Sequence, residues 1–294
     1  MNERDLKYFC HLVETGNYTA TSKQFGVTQP AISAAVKRLE TQYGTTLLTQ
    51  FNHRAKLVVT PAGQVLYVKA RKIIREISQV ELEVKHANER QVRLGFSNVA
   101  GGIWLPRMIE RFVKNNLLDQ ITTTVADSEK LLDDLRNGKL DAAVFSTIQP
   151  EQSADLQVTQ LETRQLSLLV NVNHPLSKLR EISPKDLKEV PLIARYKKTI
   201  PRMALDQFCF YRNVKPTILY EAATNQLVEG LVARNVGVGI AVDDGTVLSK
   251  QIVRIPLKEK DRVNCYMQLA VRKSFLPNEN QQRCIELLKY YREN

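Results

Sequence analysis

Residues 17–40, NYTATSKQFGVTQPAISAAVKRLE, restrict the fold more than any other stretch, because they read as two short helices joined by a tight turn. Thr19 is placed to cap a first helix running to about Phe25, with Ala20 and Phe25 as its expected buried side, and Gly26 supplies the permissive backbone that ends it. Val27 then fills the corner. Thr28 is a good N-cap, Pro30 is tolerated in a first turn where its missing amide hydrogen has no partner, and Ile32, Val36 and Leu39 recur at steps of 4 and 3. The opposite face carries Gln29, Ser33, Ala34, Lys37 and Arg38, with short groups first and basic groups farther along. A helix lying in a major groove sets its N-terminal side chains on base edges and its cations near phosphates. The segment is therefore expected to be a helix-turn-helix, with double-stranded DNA as its partner. A helical hairpin of another fold would share the turn but not this polarity of the exposed face.

The flanks agree. Leu6, Phe9, Cys10 and Val13 repeat at helical spacing, predicting a helix packed on the motif. Downstream, residues 51–59 read as a basic turn with His53, Arg54 and Lys56 followed by a short strand, which makes a winged helix-turn-helix domain of residues 1–60 and adds Arg54 to the expected DNA contacts. At this point FCHLVETGNYTATSKQFGVTQPAISAAVKRLETQYGTTLLTQF followed by LVVTPAG resembles the N-terminal domain of the LysR-type transcriptional regulators. In that family the positions matching Thr28, Gln29, Pro30 and Ser33 open the recognition helix, and its Leu-Thr-x-x-Gly signature stands here as Val59, Thr60, Pro61, Ala62 and Gly63. Three positions depart from the family pattern. Its Ala-Ala pair is Thr21 and Ser22, a long polar residue is Ala34, and a common Arg is Gln50. Ala34 offers a base no hydrogen bond, only a methyl for a thymine methyl, so an atypical operator is expected.

Leu66, Ala70, Ile73, Ile77, Val80, Val84 and Ala87 step alternately by 4 and 3, a heptad seam with charged residues outside it. A helix packed on its own domain has nearly the same period. The resemblance implies that residues 61–90 form a linker helix that pairs two subunits, with a tetramer left open as a dimer of such dimers. A two-fold dimer also explains how one motif per chain serves a palindromic operator. The net charge of +11 favours a polyanionic partner. Residues 1–90 hold 13 basic and 8 acidic side chains, a net +5, leaving +6 for the other 204 residues.

From residue 91 strands alternate with helices. Strands are expected near 91–96, 121–126, 140–145, 166–172, 192–194, 218–221, 239–242 and 267–271, and helices near 103–113, 130–137, 201–211, 225–234 and 280–291. VRLGFS, LLDDLRNGKLDAAVF, NHPLSK and LVEGLVARNVGVGIAV resemble, more weakly, the effector-binding domain of the same family. The resemblance implies a C-terminal two-lobed, periplasmic-binding-protein-like α/β domain over 91–294, with lobe one at 91–161 and 268–294, lobe two at 162–267, and a ligand cleft between them. Where the family has Leu-Pro after its Gly-x-Gly-Ile run, this chain has Ala241, Val242, Asp243 and Asp244, and the acidic pair is expected to alter the cleft rim.

Ligands of open α/β sheets sit beyond the carboxyl ends of strands. Ser97, Asn98, Gly101 and Gly102 follow the first strand, Arg195 and Thr199 follow that at 192–194, and Thr224 and Asn225 follow that at 218–221. Hydroxyls, amides and bare backbone at helix N-termini suit an anion, so the expected effector is a small anionic metabolite, a carboxylate. Plain N-caps and a solvated basic loop would use the same residue types.

The sequence gives no support to an enzyme, a metal or a cofactor. His11, His53, His86 and His174 are isolated, GFSNVAGG lacks dinucleotide-loop spacing, and no Gly-x-Ser-x-Gly elbow occurs. No segment approaches the ~18 apolar residues of a membrane span. MNERDLKYF lacks the apolar core of a signal peptide, and four cysteines stand far apart at 10, 209, 265 and 284, so a cytoplasmic protein is expected. The alternative is a thiol redox-sensing regulator of the same architecture, in which Cys209 pairs with Cys265 or Cys284.

Overall fold

A computed structural model describes residues 2–49, 57–86, 91–243 and 248–289. The chain divides into two compact units, Met1–Ala87 and Asn88–Asn294.

In the first unit, α1 (Glu3–Thr15), α2 (Tyr18–Phe25) and α3 (Gln29–Tyr43) are followed by β1 (Leu48–Thr49), β2 (Val58–Val59) and the long α4 (Pro61–His86). Each helix starts where the sequence offers a cap. Asn2 accepts from the Arg4 and Asp5 amides, and Asn17 accepts from the Ala20 amide. The cap of α2 is thus Asn17, not Thr19, because the helix begins two residues earlier than the hydroxyl suggested. Ala20 is exposed, and Thr21 and Ser22 are buried in its place, with Phe25 half-buried. The two polar residues are satisfied locally: the Thr21 hydroxyl lies 3.0 Å from His11 Nδ1 and 3.2 Å from Thr15 Oγ1, and Ser22 donates to the Thr19 carbonyl. Gly26 ends α2 at φ +62°, a left-handed conformation glycine adopts without strain.

Leu6, Phe9 and Leu12 of α1 meet Ile32, Ala35, Val36 and Leu39 of α3 and Leu66 and Ala70 of α4 in one core. The front of the heptad seam therefore serves its own unit, whereas Val80 and Val84 are 58% and 70% exposed. Ala87 lies outside the described residues. β1 and β2 pair antiparallel, Leu48 opposite Val59, as the two stems of a wing. The turn expected between them, with Arg54, and the departure at Gln50 lie outside the described residues.

In the second unit the strands are β3 (Val92–Ser97), β4 (Ile121–Ala126), β5 (Ala142–Thr147), β6 (Leu156–Asn171), β7 (Pro191–Arg195), β8 (Thr217–Ala222), β9 (Val238–Val242), β10 (Ile252–Pro256) and β11 (Asn264–Arg272). The helices are α5 (Asn98–Lys114), α6 (Ser128–Arg136), α7 (Ile200–Phe210), α8 (Asn225–Ala233) and α9 (Glu279–Lys289). The order is β4-β3-β5-β11-β6-β9-β7-β8, with β10 beside β6. β3 runs parallel to β4 and β5, and β7 runs parallel to β8 and β9. Two long strands join these parallel sets. The first half of β6 pairs antiparallel with β11, and its second half pairs with β9 and β10. Phe96, Phe112, Met108 and Phe208 are fully enclosed in the main core.

β10 and the first half of β6 are absent from the strands expected from sequence. LQVTQLETRQ has no sustained alternation because many of its side chains are only half-buried, so pairing with β11 rather than a two-faced core holds it extended.

Candidate DNA-reading helix and ligand cavity

α3 begins with Thr28 as its N-cap residue in extended backbone and Pro30 in the first turn, and Thr28 makes no side-chain cap hydrogen bond. Gln29, Pro30, Ser33, Ala34, Lys37 and Arg38 are all exposed, opposite the buried Ile32, Val36 and Leu39. Two of the exposed side chains are already engaged. Gln29 Nε2 donates to Thr19 Oγ1 at 2.9 Å, tying α3 to α2. Arg38 holds the buried Asp5 of α1 through Nε at 2.9 Å and a second nitrogen at 2.5 Å. The carboxylate is the buried partner of the pair, its side chain 6% exposed against 58% for Arg38. Removing the cation strands a buried charge, whereas neutralising the carboxylate releases a cation into water. Arg38→Ala is thus expected to lower the melting midpoint more than Asp5→Asn, and Asp5→Asn to restore part of the stability of Arg38→Ala, in thermal unfolding of the four proteins.

In the second unit a cavity of about 570 Å³ lies at the carboxyl ends of β3, β5 and β7. Four helix N-termini border it. α5 contributes Ser97, Asn98 and Val99; α6 Asp127, Ser128 and Glu129; α7 Thr199, Ile200 and Pro201; and α8 Asn225. Each brings first-turn backbone amides that have no partner within the helix and the positive end of a helix dipole. Ser97 caps α5 by accepting from the Ala100 amide and lies 3.0 Å from the buried Ser146 hydroxyl. Arg195 reaches Asn225 Oδ1 at 2.7 Å, while its Nε is buried with no hydrogen-bond partner. Burial pulls the Arg195 pKa below the ordinary arginine value, and Asp127 and Tyr196 act in the opposite direction.

Of the residues expected around a ligand, Ser97, Asn98, Arg195, Thr199 and Asn225 share this cavity. Gly101, Gly102 and Thr224 stand outside its wall. Gly101 is buried against Phe96 and Val125 inside α5, Gly102 faces open space, and Thr224 is spent capping α8 through the Leu227 amide. Asp243 is likewise absent from the wall: it pairs with Arg254 at 2.9 Å, so it does not shape the rim as expected, and Asp244 lies outside the described residues. Asp127, Ser128, Glu129, Ser146 and Thr147 were missed. The strands at 121–126 and 140–145 were legible, and the rule applied to the other strand ends would have reached all five.

All four cysteines are free and buried. Burial pushes Cys10, Cys209 and Cys284 up to about 11 and Cys265 to about 12, so these thiols stay protonated at neutral pH and are poor nucleophiles. A folded-state pKa above the unfolded 9.0 stabilises the fold fully below pH 9, and that contribution is lost as pH rises through about 11. The urea midpoint is expected to fall between pH 8 and 10.5, and Cys265→Ala to flatten part of that slope.

Comparison with known families decides what these two units are. Residues 3–64 match the bacterial regulatory helix-turn-helix protein, lysR family, and residues 85–292 match the LysR substrate binding domain. The chain belongs to the LysR family. LysR-type regulators are transcription regulators that bind DNA and small-molecule effectors and oligomerise. The chain is 23% identical over 290 residues to the malolactic fermentation system transcriptional activator of Lactococcus lactis, covering 98% of both chains. It is 26% identical over 278 residues to the HTH-type transcriptional regulator AlsR of Bacillus subtilis, covering 93% of this chain and 91% of the relative. A hydrogen peroxide-inducible genes activator of Haemophilus influenzae is 26% identical over 243 residues, 81% of this chain and 79% of that one. In fold the LysR chain matches full-length BenM, with a TM-score of 0.57 at 21% identity and coverage of 98% and 95%. It also matches full-length CbnR complexed with its target DNA, with a TM-score of 0.56 at 18% identity and 98% coverage of both. Among the described residues no helix is long and apolar enough to cross a membrane.

Proposed function

We propose that this LysR-type protein is a cytoplasmic regulator that reads a palindromic operator as a homodimer and responds to an anionic metabolite, a carboxylate, held in the cavity of its second unit. The observation that carries the effector half is the convergence of four helix N-termini and the Arg195 guanidinium on one cavity. Taking the lobes as 91–161 with 268–294 and 162–267, Ser97, Asn98 and Ser146 belong to one and Arg195, Thr199 and Asn225 to the other. A ligand touching both favours the closed arrangement by its differential affinity for it.

In the DNA-reading half, Gln29, Ser33 and Ala34 meet base edges, Thr28 and the first-turn amides meet a phosphate, and Lys37 and Arg54 add backbone contacts. The exposed Val80 and Val84 continue the α4 seam beyond the unit's own core, and a second α4 covering them places two recognition helices on one duplex. Binding selection from a random duplex library tests this reading. Wild type is expected to enrich an inverted repeat, and Gln29→Ala with Ser33→Ala to lose about tenfold or more in affinity for it while keeping salt-dependent non-specific binding. Equal enrichment by both proteins would remove these residues from base reading.

A further inference from the structure

The charges around the cavity are partitioned by sign. One wall carries Asp127, Glu129, Asp133 and Glu151 with a single cation, Arg136. That guanidinium lies 3.9 Å from Asp133 and 3.5 Å from Glu151. Two carboxylates then remain without a salt-bridge partner among the described residues. Asp127 accepts only a neutral amide, from Asn98 Nδ2 at 2.8 Å, and Glu129 has no hydrogen bond or ion pair among the described residues. The facing wall carries Arg195, whose polar partner is the neutral Asn225, and Lys198, which has no ion pair among the described residues. Opposite charges line the same 570 Å³ space: Asp127 attracts Arg195 from a distance, with no salt bridge between them among the described residues.

We infer that the ligand is a dipolar ion, a carboxylate that also bears a cationic amine, rather than a plain organic acid. This rests on the reading of the cavity as the effector site and narrows its ligand class. A simple carboxylate satisfies Arg195 and the helix N-termini but brings a like charge towards Asp127 and Glu129, which penalises it. An ammonium on the same molecule reverses that penalty, because each of its N–H donors can make a charge-assisted hydrogen bond to those oxygens. Acidic side chains in a first helical turn also favour the helix dipole. Glu129 has that role in the first turn of α6, while Asp127, at the N-cap without a cap hydrogen bond, also accepts from Asn98 at the start of α5.

The test is thermal unfolding and calorimetric titration of the full chain with matched pairs: L-alanine and propionate, L-glutamate and glutarate, L-phenylalanine and 3-phenylpropionate, γ-aminobutyrate and butyrate. At least one amino compound is expected to bind tenfold or more tightly than its deaminated partner. Asp127→Asn with Glu129→Gln is expected to erase that preference while leaving carboxylate binding in place. If plain acids bind as well as or better than their amino partners, the dipolar assignment is overturned while the anion cavity stands. If no member of any pair binds wild type, both are overturned.

Discussion

Gly63→Ala is expected to melt the DNA-binding unit early while leaving the second unit's transition where it was. A Cβ at residue 63 would run into the Leu47 carbonyl oxygen and stand 2.9 Å from Val59 Cγ1, so the first turn of α4 lies against the β1–β2 ribbon with no room for a methyl. The obstructing atom is backbone, and it is held from two sides. The Leu47 amide donates to Glu40 Oε1 of α3 at 2.8 Å, and Thr60 reaches the Leu47 carbonyl through its amide at 3.0 Å and its hydroxyl at 3.1 Å. Relief must shift either α4 or the ribbon that α3 supports. Overpacking of this kind costs about 3 kcal/mol, at the upper end of its usual range. For a unit of this size that is a fall of roughly 10–20 °C in midpoint. Calorimetry of the full chain reads both transitions, and DNA affinity is expected to fall with the first. An unchanged melting profile would mean that the α4–β1 approach is looser than described.

Arg195→Ala is expected to remove the anion response almost completely without destabilising the unliganded protein. The guanidinium is half-buried, bonded to one neutral oxygen, with a buried Nε that has no hydrogen-bond partner, so its deletion forfeits little stability. With a carboxylate bound it becomes one half of a desolvated charge pair, and truncating such a partner costs about 2–5 kcal/mol, on the order of 30- to several thousand-fold in affinity. Arg195→Lys keeps the charge but not the planar fork and is expected to fall in between. Titration calorimetry with the tightest carboxylate found for wild type measures all three. Equal affinity in Arg195→Ala would place the anion elsewhere on the wall.

Much of this protein is written in local patterns. The helix-turn-helix was legible because Gly26, Thr28, Pro30 and the Ile32, Val36, Leu39 stripe each state a local preference, and all point to one geometry. The alternation of strands and helices after residue 91 was legible for the same reason. The exceptions are physical. Asn17 displaced Thr19 as the cap of α2 because a neighbouring residue of equal capping ability lay where the chain turned. Thr21 and Ser22 replaced Ala20 on its buried side, which is possible only because His11 and Thr15 of another helix, and the Thr19 carbonyl, satisfy them. The heptad seam joined two surfaces that periodicity cannot separate: Leu66 and Ala70 belong to the unit's own core, and Val80 and Val84 do not.

Hydrophobic period, caps and ordered motifs along a few turns of chain were enough to specify the helix-turn-helix, the α/β character of the second unit and the family to which the chain belongs. It took the folded chain to settle which strand ends share a cavity, that Arg38 answers to Asp5, and that Asp127 and Glu129 line one space with Arg195 and Lys198. Those relations join residues tens of positions apart, and no local preference records where the chain will bring two charges together.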